Sequence, residues 1–215
     1  MARTRQFPIA VEGFPLIIPM LAATLVSAFF GWIYLSICLS ILTLFAIFFF
    51  RNPKRGIPPS GQAVVAPADG RVIRVDPCQE ERFLQAKVTK ISIFMSIFNV
   101  HVNRSPIAGI VEEKSYTPGR FHLANSDKSA EENEQNAMVI CGKTGLKVLL
   151  VQIAGFVARR IVCYPEKGDA LEKGQILGMI RFGSRLDIYL PEEVEPSVKP
   201  GDRVRAGESI LGTIR

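Results

Sequence analysis

The pattern of hydrophobic and polar positions changes character near residue 50. From Gly13 to Phe50, 38 consecutive residues contain no Asp, Glu, Lys or Arg. As one helix that run would measure about 57 Å, nearly twice the roughly 30 Å of a bilayer core. Two passes of roughly 18 residues fit the thickness better, with a turn near Gly31. Pro15 and Pro19 are expected to shorten or kink the first pass, so a re-entrant segment stands beside a full crossing. Beyond the proline-rich stretch from Asn52 to Gly61, short β-branched runs alternate with Gly, Pro and Asp. Val72–Val75, Lys90–Phe94, Met138–Ile140, Val148–Gln152 and Arg160–Cys163 are such runs. They predict a mainly β antiparallel sandwich or barrel with little helix. The segment from Ala124 to Gln135 is polar throughout and reads as a surface loop or lid.

These patterns divide the chain into a basic N-terminus (1–12), a membrane-associated helical hairpin (13–50), a juxtamembrane linker (51–61) and a globular domain (62–215). Arg3 and Arg5 precede the apolar run, and Arg51, Lys54 and Arg55 follow it. Cations on both flanks predict that both ends face the cytoplasm, which needs an even number of crossings. A cleaved signal peptide is not expected, because the run is too long and no small-residue cleavage site ends it. Charge alters this picture little. The formal net charge is +6, and the five flanking cations less Glu12 supply +4 of it. The basicity therefore belongs to a membrane edge rather than to a nucleic-acid surface. Four cysteines are widely spaced, without metal-type clustering, and read as free thiols in a reducing compartment.

Weak repeats run through the globular part. Lys167-Gly168-Asp169, Gly174 and Leu177-Gly178-Met179-Ile180 are echoed by Pro200-Gly201-Asp202, Gly207 and Leu211-Gly212-Thr213-Ile214. Pro67-Ala68-Asp69-Gly70-Arg71-Val72 is echoed by Pro106-Ile107-Ala108-Gly109-Ile110-Val111. Glycines at matched positions predict tight turns in two pseudo-symmetric halves. This grammar resembles the lipoyl and biotinyl carrier domains, a likeness of fold rather than function.

Three residues could carry chemistry together. Ser184 follows Gly183, whose missing side chain leaves the preceding carbonyl open to attack. A serine hydroxyl needs a base, and His101 titrates near neutrality. Asp69 could orient that imidazole. His122 is the only other histidine.

Taken together, these residues resemble the phosphatidylserine decarboxylases, in particular their short bacterial and archaeal branch. The likeness covers Phe49-Phe50-Arg51-Asn52-Pro53, Ala66-Pro67-Ala68-Asp69-Gly70, Val100-His101-Val102-Asn103-Arg104, Pro118-Gly119-Arg120-Phe121-His122 and Gly178 through Arg185. It implies a proenzyme that cuts itself between Gly183 and Ser184, with Ser184 as nucleophile, His101 as base and Asp69 behind it. The products would be a β chain, 1–183, and an α chain, 184–215, packed as a heterodimer. Ser184 would become a pyruvoyl cofactor that condenses with the serine amine of phosphatidylserine and drives decarboxylation to phosphatidylethanolamine. No metal is implied, and the expected location is the cell (inner) membrane with the globular domain on the cytoplasmic side. The longer bacterial branch carries a second histidine three residues before the position of His101, and here that position is Phe98. His122 or His101 itself would have to supply whatever that group does.

Two other readings use the same residues. A membrane-anchored barrel-sandwich adaptor would want a heptad hairpin or a modifiable lysine at a strand tip, and neither stands out. A membrane-tethered serine hydrolase built on Asp69, His101 and Ser184 lacks a Gly-x-Ser-x-Gly elbow, although such triads do not require one.

Overall fold

The structure, a computed structural model, describes residues 7–119, 133–155, 160–181 and 184–215. The chain divides into two compact units, Met1–Lys54 and Arg55–Arg215.

In the first unit a single 3-10 turn, Val11–Gly13, leads into α1 (Phe14–Phe29), and α2 (Ile33–Phe49) runs back beside it. Gly31 takes φ +71° in the turn between them, a conformation glycine reaches without a steric penalty. Pro15 falls in the first turn of α1, where a missing N–H removes no helical bond. Pro19 lies inside the helix, and α1 nevertheless continues to Phe29. Val11–Phe29 is long and apolar enough to cross a membrane, whereas α2, at 17 residues, is shorter. Hydroxyls join the two helices, in addition to the buried apolar side chains Ile17, Ala46 and Phe49: Thr24 Oγ1 lies 3.3 Å from Thr43 Oγ1, and Ser36 Oγ donates to Ser27 Oγ at 3.0 Å. Small hydroxyl residues allow helices to approach closely where no water competes. The open end of the hairpin is tied by Ala10 N–H to Phe50 O and Asn52 N–H to Pro8 O, both 2.7 Å.

The second unit is built from antiparallel strands. The first seven are β1 (Ala63–Val65), β2 (Gly70–Glu80), β3 (Ala86–Met95), β4 (Val102–Arg104), β5 (Gly109–Thr117), β6 (Gln135–Cys141) and β7 (Lys147–Ile153). They are followed by β8 (Ile161–Cys163), β9 (Ala170–Leu171), β10 (Ile176–Ile180) and β11 (Ser184–Pro191). The last three are β12 (Val194–Pro196), β13 (Arg203–Val204) and β14 (Ile210–Ile214). An eight-stranded sheet in the order β13-β2-β3-β11-β7-β6-β5-β9 curls into a half-barrel, beside two three-stranded sheets, β4-β10-β8 and β1-β14-β12. The mainly β antiparallel architecture is the one the short β-branched runs predict.

Strand periodicity sends alternate side chains to opposite faces. On β11, Leu186, Ile188 and Leu190 join Ile91, Ile93, Ile140, Val148 and Leu150 in the main core. Tyr189 faces the other way, with Ala137, Val139, Leu149, Val151 and Ile153, and Phe83 and Leu84 cover that second cluster. Apolar side chains thus line both faces of the sheet at its middle, and β11 runs through that middle.

The repeats are visible as matched hydrogen bonds. Gly168 N–H reaches Val111 O at 2.7 Å and Gly201 N–H reaches Val72 O at 2.8 Å. Gly174 N–H reaches Ser105 O and Gly207 N–H reaches Ala66 O, both at 2.8 Å. Ile57 lies against both of the latter turns: a Cβ added at Gly174 or Gly207 would come within 2.2 or 2.9 Å of its Cδ1. Arg55 and Ile57, read above as linker, therefore pack as part of this unit.

Gly178 has φ +143°, and a Cβ there would lie 1.9 Å from the Val162 carbonyl oxygen of β8. Gly178→Ala is expected to destabilise the unit by about 3 kcal/mol or more, since both the backbone conformation and the space are wrong. Gly61→Ala, where nothing lies within 4 Å, should stay within about 0.5 kcal/mol of the parent. Unfolding midpoints of the two variants in the same detergent check the contrast.

Candidate active site

Ser184 is the first residue of β11, directly opposite Met95 of β3, and is fully buried. Its Oγ donates to Met95 Sδ at 3.5 Å. A thioether is a weak acceptor, so this buried hydroxyl is held by little. Gly183, its expected partner in cleavage, and His122 both lie outside the described residues.

His101 comes immediately before β4 and is also fully buried. The β4–β10 register pairs Val102 with Met179, and one further step sets His101 level with Ile180, four residues before Ser184. Its Nδ1 lies 3.0 Å from Asn99 O. A carbonyl only accepts, so Nδ1 carries the proton and Nε2 holds the lone pair a base requires. Asn99 is itself fixed: Ser96 N–H and Ser96 Oγ donate to its Oδ1 at 2.9 and 2.8 Å, and its own N–H reaches Ser96 O at 2.9 Å. A four-residue turn, Ser96–Asn99, therefore links the residue facing Ser184 to the carbonyl that orients His101.

Asp69 is placed elsewhere. Arg55 Nη2 donates to both carboxylate oxygens, at 2.8 and 2.9 Å, and Ala206 N–H donates to Oδ1 at 2.8 Å. The expected place of Asp69 is behind the imidazole; here its carboxylate bonds to Arg55 and Ala206, while His101 Nδ1 lies at the Asn99 carbonyl. The physical reason is a competing cation. Arg55 was counted among the membrane-edge charges, yet its side chain is only 6% exposed and its Nη1 also faces Glu208 at 3.5 Å. Arg104 lies close by, donating to Gly174 O at 3.0 Å. Burial, and then the Arg55 charge, pull its guanidinium below the ordinary value against the opposing pull of Asp69 and Glu208.

Sequence reasoning missed a chain of buried amides that ends beside Ser184. Asn136 Nδ2 donates to Gln152 Oε1 at 3.0 Å, and Gln152 Nε2 donates to Asn103 Oδ1 at 2.8 Å. That leaves Asn103 Nδ2 directed at Met95 Sδ, 3.8 Å away, so two buried donors converge on one sulfur. The available signal was parity. Asn136 falls in step with Met138 and Ile140, and Gln152 with Val148 and Leu150, on the face that enters the core. A polar residue at such a position requires a partner.

The opposite face of β11 carries charge. Arg185 forms a two-bond pair with Asp187, at 2.6 and 2.7 Å, and Lys90 reaches Asp187 at 3.1 Å. Burial draws the Lys90 ammonium down, but Asp187 and Tyr189 together carry it above the ordinary lysine value. A cavity of about 560 Å³ opens there, lined by Arg74, Cys78, Arg82, Lys90 and Tyr189 among others. It lies across the sheet from the Ser184 side chain.

The sequence model of the phosphatidylserine decarboxylase family matches residues 42–212. The chain is 49% identical over 213 residues to a phosphatidylserine decarboxylase proenzyme of Syntrophotalea carbinolica, spanning 99% of this chain and 100% of that one. It is 48% identical over 212 residues to the proenzyme of Geotalea uraniireducens, with 99% of each covered. It is 46% identical over 209 residues to that of Desulfotalea psychrophila, covering 97% of this chain and 98% of the other.

Two substitutions test the buried polar groups. Arg55→Met strands the Asp69 carboxylate with one backbone donor and should cost about 3–5 kcal/mol, most of it recovered when Asp69→Leu is added. Gln152→Leu leaves amide groups of both Asn103 and Asn136 without their partner, at a cost of about 1–3 kcal/mol for each group. Chemical denaturation of each variant, followed by circular dichroism, reads both.

Proposed function

Because this chain belongs to the phosphatidylserine decarboxylase family, we propose that it arms itself by cutting the bond between Gly183 and Ser184 and then converts phosphatidylserine to phosphatidylethanolamine. His101 Nε2 takes the Ser184 hydroxyl proton, and Oγ attacks the Gly183 carbonyl carbon, turning amide into ester. Loss of the residue 184 Cα proton then forms a Cα=Cβ double bond and breaks the Cβ–Oγ bond, leaving Gly183 as a carboxylate terminus and residue 184 as a dehydroalanine that tautomerises to an imine. Hydrolysis releases ammonia and leaves a pyruvoyl group at residue 184. The observation that carries this reading is Ser184 itself: a fully buried hydroxyl at the head of the central strand, bonded among the described residues to a thioether alone. Such a group stabilises the fold little and is consumed at little structural cost.

The surroundings suit a small carbonyl in that place. Met95 would bound it, and the Asn103 amide, oriented by Gln152 and Asn136, brings a donor to the same sulfur. Condensed with the substrate amine, a pyruvoyl carbonyl supplies the sink for the electron pair released as carbon dioxide leaves. The residues of the chain do the rest. The buried strands exclude water, the Asn99 carbonyl keeps the His101 ring in one tautomer, and His101 returns a proton to the substrate α-carbon.

The β chain, 1–183, and the α chain, 184–215, remain one body, because β11 is hydrogen-bonded between β3 and β7 and β14 between β1 and β12. The two apolar helices anchor the enzyme at the cell (inner) membrane. Arg3 and Arg5 before the apolar run in sequence, and Arg51 and Lys54 after it, support a cytoplasmic catalytic unit. In this reading Asp69 supports the site through Arg55 and the turn at Ala206, and does not relay charge to His101.

Intact mass spectrometry of the purified chain should show two species split before residue 184, the smaller lacking an amine terminus. Ser184→Ala should run as one chain and release no carbon dioxide from phosphatidylserine vesicles. Full cleavage of that variant would overturn the reading. His101→Gln should slow the split by about 10²-fold or more, as the loss of a general base does.

A further inference from the structure

Most large apolar side chains of the catalytic unit are buried, but the tip of the Ser96–Asn99 turn is not. Ile97 is 41% exposed and Phe98 66%. Among the described residues of this unit, Phe98 is the most exposed large hydrophobic side chain, and Ile97–Phe98 is the one adjacent exposed pair. Single exposed apolar residues are ordinary on a soluble surface, whereas a rigid pair beside a reaction centre is not. This pair is rigid, since both ends of the turn are bonded to each other through Ser96 and Asn99. It is also close to the chemistry along the chain. Met95, one residue before the turn, faces Ser184, and Asn99, at its end, holds His101.

We propose that Ile97 and Phe98 form a lipid contact, inserting at the headgroup–acyl boundary of a phospholipid leaflet and seating the Ser184 site at headgroup level. The proposal rests on the substrate being a bilayer lipid, whose reacting carboxylate lies at the surface while its acyl chains stay within. Ser184 and His101 are fully buried, so the site must meet the leaflet directly rather than wait for a lipid to cross water. A Phe–Ile tip is suited to that boundary, where apolar faces of peripheral elements sink about 5–10 Å. A membrane contact of this kind belongs to the catalytic unit and acts in addition to the helical hairpin.

The test uses the full chain reconstituted in vesicles. The double variant Ile97→Ser, Phe98→Ser should still split completely before residue 184. Its turnover of water-soluble, short-chain phosphatidylserine should stay within a factor of about two of the parent. Its rate on vesicle phosphatidylserine should fall about tenfold or more through KM, the scale set by removing two buried apolar side chains. Phe98→Leu should keep the vesicle rate. Equal loss on both substrates, or no loss on vesicles, would overturn the proposal.

A spectroscopic readout stands apart from turnover. Trp32 is the sole tryptophan, so Trp32→Phe with Phe98→Trp places one indole at the tip. Brominated lipids in the vesicle should quench its emission, and unquenched emission would also overturn the proposal. If the parent released no carbon dioxide from either substrate, the proposed function would fail while the quenching experiment still decided the lipid contact.

Discussion

The register of β11 against β3 is the constraint on which the catalytic unit depends, because it sets Ser184 opposite Met95 and fixes which side chains of the central strand enter the core. A slip of one residue would exchange Leu186, Ile188 and Leu190 for Arg185, Asp187 and Tyr189, and drive an ion pair into an apolar interior. The difference between the apolar core on one face and the ion pairs on the other therefore holds the strand in place, and the strand in turn holds the reacting hydroxyl. The same register brings the end of β3 and the start of β11 together, so that a four-residue turn suffices to reach His101.

Much of the fold was legible in the chain. Period-two runs such as Val148–Gln152 report strands directly, since a pleated, half-buried surface selects β-branched residues at alternating positions. The glycine repeats were legible too, and for a steric reason: at Gly174 and Gly207 the backbone closes on Ile57 with no room for a side chain. What the linear pattern did not convey was the use of the stretch after the hairpin. Arg55 sits in a basic, proline-rich context that reads as membrane edge, and only the folded chain reveals Asp69 and Glu208 around it.

The site was legible in part for a similar reason. Ser184 and His101 are named by their sequence neighbours, and the Ser96–Asn99 turn joins the end of β3, which faces Ser184, to the segment that carries His101. The partner of His101 was not legible, because it is a main-chain carbonyl, and every residue has one. The amide chain through Asn136, Gln152 and Asn103 was hidden by distance: its members come from three strands and meet only through long-range pairing. A residue type can advertise chemistry, but an orientation is a property of the packed state.

The central position of β11 has a further consequence for the lifetime of the protein. Before the proposed cut, unfolding and refolding are unimolecular, and a chain that opens can return. After the cut, any event that frees β11 from β3 and β7 yields two polypeptides, and recovery becomes a second-order encounter whose rate falls with dilution. The fold is then assembled once, as a single chain, and afterwards persists by the slowness of its opening rather than by its ability to re-form.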